Sequence, residues 1–279
     1  MRLLFYQLTK SFDSPRHPKY ECENSSMNPI IHIALNTAKE TIRNRILYSI
    51  LFFAALLIFL SMSFGDWSVL ARFQVMQDFG LATMSIAGLL LSIFIGIGLL
   101  GKEISSKTIY NLLSRPVSRA QIIAGKFIGL LAILTLNMVI MGAFFLLMLV
   151  VMGSPLKPEL LSAVLLVWVE MAVIIAAAML FSTFTTPTLA AMFTLGFYIA
   201  GHFNDMVSVE MLQQNPVLFY IVKILYWILP NLEHFNIRSA VVYGIGIPAG
   251  HIGFACLYGL LYCLLYLIIG GTIFAKKDL

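Results

Sequence analysis

Charge is scarce in this chain. Lys, Arg, Asp and Glu together make up 11% of its 279 residues while apolar side chains make up 60%, a balance that excludes an ordinary soluble domain. Cysteine is scarcer still, with only Cys22, Cys256 and Cys263, so no disulfide framework is expected. Cys256 and Cys263 share one face of a long apolar run, but on a helix they stand about 10.5 Å apart, too far for a disulfide or for one metal ion held by both. They read as packing residues. No internal repeat and no low-complexity tract interrupts the chain.

What the chain does have is long apolar runs. About 20 apolar residues cover a hydrocarbon core of about 30 Å, and six stretches qualify: 46–64, 81–101, 128–152, 159–182, 188–203 and 250–274. The fifth is the weakest, short and closed by His202 and Asp205. A seventh stretch, 216–229, is too short to span and is bracketed by Pro216 and Pro230, as expected of a re-entrant or interfacial helix on the external side. All six spans have helical length, so the expected fold is an all-α membrane bundle and not a barrel.

The few charges are unevenly placed. Seven Lys/Arg precede the first span, five fall in 102–127 and two, Lys276 and Lys277, close the chain. The other side receives only Arg72, Lys157, Lys223 and Arg238. Both termini are therefore expected in the cytoplasm of a bacterial-type inner membrane. The formal charge of +5 follows from this topology and calls for no nucleic-acid partner.

Residues 1–26 are polar and broken by Pro15 and Pro18, and are expected to be a disordered extension or a mis-called start before Met27. Residues 27–279 read as one membrane domain. It opens with an amphipathic helix whose apolar stripe, Ile31, Ala34 or Leu35, Ala38 and Ile42, lies opposite Asn36, Lys39, Glu40 and Arg43. Such a helix is expected to lie along the inner membrane surface. Residues 65–80 read as a short external loop and 153–158 as an external turn. Residues 183–187 read as a tight inner turn, with Thr186 as N-cap and Pro187 at the first helical position.

Gly96, Gly98 and Gly101 spell a dinucleotide fingerprint, and Gly96 to Lys102 spell most of a P-loop. A P-loop needs Ser or Thr after the Lys, where this chain has Glu103, and both motifs need a preceding strand. Here the glycines end an apolar helix, where glycine serves close packing. No nucleotide, cofactor or metal site is expected. His202, Asp205, His234 and His251 are scattered without ligand spacing, and no catalytic constellation stands out.

The positive signal is the basic segment 102–126, KEISSKTIYNLLSRPVSRAQIIAGK. Ile104, Thr108, Leu112 and Leu113 trace an apolar side on a short helix. Arg115 precedes Pro116, which imposes a turn, and Ser118 with Gln121 forms an S-x-x-Q capping box for the helix beyond it. Such organisation suits a docking element for a soluble partner better than a slack loop.

Glu103, Thr108, the Leu112–Leu113 pair, Ser114, Pro116, Ser118–Arg119 and Gly125–Lys126 resemble the signature of the ABC type-2 transporter permeases. The amphipathic first helix and the ending from Phe274 to Leu279 are also similar to that family, so the likeness covers roughly 27–279. Lys107 departs from it, standing where many members have Gly. The resemblance implies six spans per subunit, a dimeric membrane unit (read as a homodimer) and two copies of a separate ATPase beneath. It also implies that the segment after the second span is a coupling helix, with Glu103, Thr108, Leu112, Leu113, Arg115, Pro116, Ser118 and Arg119 at the ATPase. The inner turn at Thr185, Thr186 and Pro187 is expected to provide a second, smaller contact.

Glu170 lies near the middle of the fourth run, where a charge costs about 2.5–3.5 kcal/mol on the insertion scale. It is expected to face the bundle or the dimer interface, as a substrate-path residue or a structural hydrogen bonder. Function is thus expected to be that of a permease subunit driven by a partner ATPase, not of an enzyme. The alternatives are a scaffold that only transmits force, or a membrane-embedded lipid-modifying enzyme. The last would need polar residues converging at one depth, whereas this sequence shows isolated ones.

Overall fold

A computed structural model describes residues 29–66, 71–105, 118–155, 157–202, 229–248 and 250–276, with 62–66, 99–105, 119 and 276 described in backbone only. Eight α-helices and one 3-10 helix account for most of them, and no strand occurs among the described residues. In chain order these are α1 (Pro29–Ile42), α2 (Arg45–Asp66), α3 (Arg72–Ser105), α4 (Arg119–Val151), α5 (Glu159–Phe184) and α6 (Pro187–His202). A 3-10 turn (Leu232–Phe235), α7 (Arg238–Tyr243) and α8 (His251–Lys276) complete the chain. The segment 216–228 and the chain before Pro29 lie outside the described residues.

The centre of the bundle is α5. It is apolar on every side except at Glu170, and a helix of that kind is stable only when neighbours surround it. Here α3, α4, α6 and α8 do so, and its Ala172–Ala178 stretch is buried throughout. Small residues set the spacing. On α3, Gly80 lies against Phe145 of α4, Gly88 against Met138 of α4 and Met171 of α5, and Gly96 against Ala178 of α5. The supposed nucleotide glycines are therefore part of an unbroken helix, and Gly96 works as a packing notch. Gly259 of α8 meets Val169, and Gly270 meets Leu180, so α8 runs parallel to α5.

Aromatic rings on α8 stack at i, i+4 spacing. Phe254, Tyr258, Tyr262 and Tyr266 have successive centroids 6.0, 4.8 and 5.8 Å apart. Tyr266 then meets Phe197 of α6 at 5.7 Å and Phe197 meets Phe181 of α5 at 6.1 Å, tying the three helices together.

One expectation needs correction. Residues 72–80 are not loop but the first turns of α3. Their polar groups find partners that let the helix run on: Arg72 Nη2 donates to Met152 Sδ at 3.4 Å, Gln77 Nε2 to Ser154 Oγ at 3.1 Å, and Asp78 pairs with Arg238 at 2.8 Å. The expected amphipathic helix is α1, which docks on α4. Gly125 and Gly129 of α4 admit its backbone, with Ile30 O and Ala34 O beside them. The face that packs is the small one, Ala34, Thr37 and Thr41, while Ile31, Leu35 and Ile42 of the expected stripe are exposed. A Gly-xxx-Gly groove accepts small side chains and backbone, so the bulky stripe is turned away.

Among the described residues, four helices are long and apolar enough to cross a membrane: α3, α4, α5 and α8. A further one results if α1 and α2, bent by 64° at residues 43–44, count together. At 16 residues α6 is about 24 Å long, short of the hydrocarbon core. Thr185, in the α5–α6 turn, marks one end of the bundle, and Arg72, at the start of α3, marks the other.

Candidate functional site

The buried carboxyl of Glu170 faces the last residue of α6. Its Oε1 lies 3.4 Å from Nε2 of His202, with the glutamate side chain 3% exposed and the histidine 23%. The meeting results from hairpin geometry. Glu170 stands 15 residues before Thr185 and His202 16 residues after Thr186, so the two antiparallel helices bring them to one height. Nδ1 of His202 lies 3.2 Å from the carbonyl of Tyr198. A carbonyl only accepts, so this contact is a hydrogen bond when the proton sits on Nδ1, which leaves Nε2 facing Oε1. Attraction there requires one proton, held as carboxyl and imidazole or as carboxylate and imidazolium. The contact lacks hydrogen-bond alignment, and Oε1 has no hydrogen-bond partner among the described residues.

That oxygen borders a cavity of about 130 Å3 whose polar lining is Ser85, Glu170, Tyr198, His202, Asn236 and Arg238. Four elements supply it: α3, α5, α6 and the segment after the 3-10 turn. This last segment dips into the bundle, and its anchor is apolar. Leu232 is fully buried against Gly201 of α6, Phe235 against Gly259 of α8, and the Asn231 N–H donates to Tyr258 Oη at 2.9 Å. Asn231 caps the turn through Glu233 N at 3.0 Å, while Asn236 Nδ2 donates to Glu233 Oε1 at 2.8 Å. His251 Nε2 lies 3.0 Å from the His234 carbonyl, holding the start of α8 to the same turn. The polar residues expected to stand alone thus converge at one depth. His202, Tyr198, Ser85, Asn236 and Arg238 were not singled out as partners of Glu170. For His202 the signal was available, since a two-residue turn fixes which residues of the two helices lie level.

At the Thr185 end the proposed coupling residues are described only in part. Thr108, Leu112, Leu113, Arg115 and Pro116 lie outside the described residues, while Glu103 in the last turn of α3 and Arg119 at the start of α4 are described in backbone only. Ser118 is described in full as the N-cap of α4. Its Oγ accepts from Gln121 N at 3.3 Å, and its own N–H donates to Gln121 Oε1 at 3.0 Å, which completes the capping box read from the sequence. Thr185 caps the end of α5, its N–H and Oγ1 both donating to the Phe181 carbonyl at 3.1 and 2.7 Å. The Thr186 carbonyl accepts from Ala190 N at 2.9 Å, as an N-cap carbonyl does, and Thr186 and Pro187 are exposed.

A family model described as ABC-2 family transporter protein matches residues 31–279. The match takes in every helix from the third residue of α1 onward. No curated protein matches the chain.

Proposed function

The chain belongs to the ABC-2 transporter family, and from that membership we propose that it is the permease subunit of an ATP-binding-cassette transporter, moving a substrate across the cytoplasmic membrane with ATP hydrolysed in separate partner chains. The observation that carries this reading is a family match extending over nearly the whole helical bundle. In this reading α2, α3, α4, α5, α6 and α8 are the six spans. The Thr185 end is cytoplasmic, because fourteen of the eighteen Lys/Arg fall on that side.

The route for force is the α3–α4 pair. They are unbroken helices of 34 and 33 residues, about 50 Å long. Near the Arg72 end they are tied by the Arg72–Met152 and Gln77–Ser154 bonds, and at the other end the segment holding Thr108 to Pro116 joins them. A push on residues 102–119 by two closing ATPase subunits would therefore swing two stiff rods about a fixed far end. Thr185, Thr186 and Pro187 offer a second, smaller contact. A second permease copy would complete the route, and the Glu170 cavity is its polar element. Membership of a transporter family favours that use of the cavity over catalysis.

Co-expression with the cognate ATPase tests the assignment. An Arg119→Glu plus Leu112→Asp variant is expected to remain in the membrane and to lose ATPase co-purification. A retained complex with retained transport rejects the docking surface. Substrate-stimulated ATP hydrolysis in reconstituted vesicles separates transport from force transmission alone.

A further inference from the structure

The bend between α1 and α2 opens a hollow of about 420 Å3 against α3, lined by Glu40, Arg43, Asn44 and Arg45 with Phe94 and Gly98 behind them. Arg45 also heads a second hollow of about 320 Å3, which runs along the α2–α3 seam and is apolar apart from Ser49 and Thr83. The two hollows adjoin at Arg45, which lines both, so a basic mouth stands at the head of an apolar body. The body extends along α2 from Arg45 to Leu57, about 18 Å at 1.5 Å per residue. Half of a hydrocarbon core is about 15 Å, so the groove is one leaflet deep. Its walls face outward, with Ile46, Phe53 and Ile86 all exposed.

Charge decides what fits the mouth. Two arginines against Glu40 leave it cationic, and both guanidiniums are exposed. The ion pairs formed among the described residues engage His202 with Glu170 and Arg238 with Asp78, leaving Arg43 and Arg45 for an outside anion. A guanidinium fork matches phosphate oxygens two at a time, and basic niches between helices at the cytoplasmic surface suit anionic headgroups.

We propose that this groove binds one anionic phospholipid from the leaflet at the Thr185 end, with its phosphate at Arg43 and Arg45 and one acyl chain along the α2–α3 seam. The site rests on membrane embedding and on the groove itself, and does not depend on what the permease carries. Bound there, the lipid would fix the bend between α1 and α2, and so the seat of α1 on α4.

The test is native mass spectrometry of the delipidated full chain in detergent, titrated with dioleoylphosphatidylglycerol or dioleoylphosphatidylcholine. One phosphatidylglycerol is expected to bind with a preference of roughly tenfold or more over phosphatidylcholine, whose phosphate is the same but whose choline cation cancels its charge beside the two arginines. Arg43→Gln plus Arg45→Gln should abolish the preference, whereas Arg43→Lys plus Arg45→Lys should keep most of it. Ser49→Trp, which fills the apolar body, should weaken both lipids. Equal binding of the two lipids by the wild-type chain overturns the proposal, as does a preference that survives the double Gln change. Glycerophosphoglycerol competing as well as the intact lipid would also overturn it, because the groove would then contribute nothing.

Discussion

Glu170 and His202 sit at mirrored positions about a two-residue turn, and their energetics depend on which of them is removed. A buried polar group left without its partner costs more than a pair replaced together. Trimming His202 to Leu strands the Glu170 carboxyl inside the bundle, where it is 3% exposed. We expect His202→Leu to destabilise the chain by about 1–3 kcal/mol, Glu170→Gln to be milder because an amide still donates to Nε2, and the Glu170→Leu/His202→Leu pair to be less damaging than His202→Leu alone. A double-mutant cycle by thermal unfolding in detergent reads this directly. Additive changes would mean that the 3.4 Å contact carries no coupling. At this scale the sequence exposed the cost of Glu170, because a lone carboxylate in an apolar run is conspicuous. It hid the cavity beside Glu170, because Asn236 and Arg238, which line it, arrive from a segment whose path no periodicity records.

Among the elements, the helices themselves were the most legible feature. The expected spans at 159–182 and 188–203 differ by no more than two residues at either end from Glu159–Phe184 and Pro187–His202, and the Ser118–Gln121 capping box starts α4 as its spacing implied. Helix starts were less legible where polar residues open a helix, as at Arg72, because their partners lie 77 and 80 residues away. The face by which α1 packs on α4 was not legible for a different reason. Its bulky stripe is the stronger hydrophobic signal, but what selects a face is the partner, and Gly125 and Gly129 are shaped for small residues. A Cβ at position 129 would stand 2.5 Å from Ala34 O and 2.9 Å from Thr37 Cβ, and backbone cannot yield as a side-chain tip can. Gly129→Leu should therefore dislodge α1. A Thr37→Cys reporter, buried in the docked helix, is expected to resist maleimide in the parent chain and to react at least several-fold faster with Gly129→Leu present. Unchanged protection would show that α1 is held by something other than the glycine groove.

Across the whole molecule, the informative tension is that the described part of α6 covers 16 residues while α8 must begin at the opposite end. Because α8 runs parallel to α5, with Gly259 on Val169 and Gly270 on Leu180, it enters from the Arg72 end. The chain leaves the Thr185 turn at Pro187, so residues 187–250 have to traverse the bundle. Sixteen helical residues supply about 24 Å of that path. Leu232 seats on Gly201, stacking the 3-10 turn on the described end of α6. An irregular segment at membrane depth is tolerable only when protein surrounds it and its polar groups are satisfied, and here Tyr258, Asn231 and Glu233 satisfy it from within. The composite crossing has a direct consequence for topology. In a chain with Cys22, Cys256 and Cys263 changed to Ala, Ile245→Cys should react with a membrane-impermeant maleimide in intact cells. Thr186→Cys, which is equally exposed in the fold, should react only after the membrane is opened. Labelling of both from one side would mean that α6 and the turn above it form a re-entrant hairpin and that the bundle has five spans. The reverse pattern would overturn the charge-based orientation while leaving the six-span path intact.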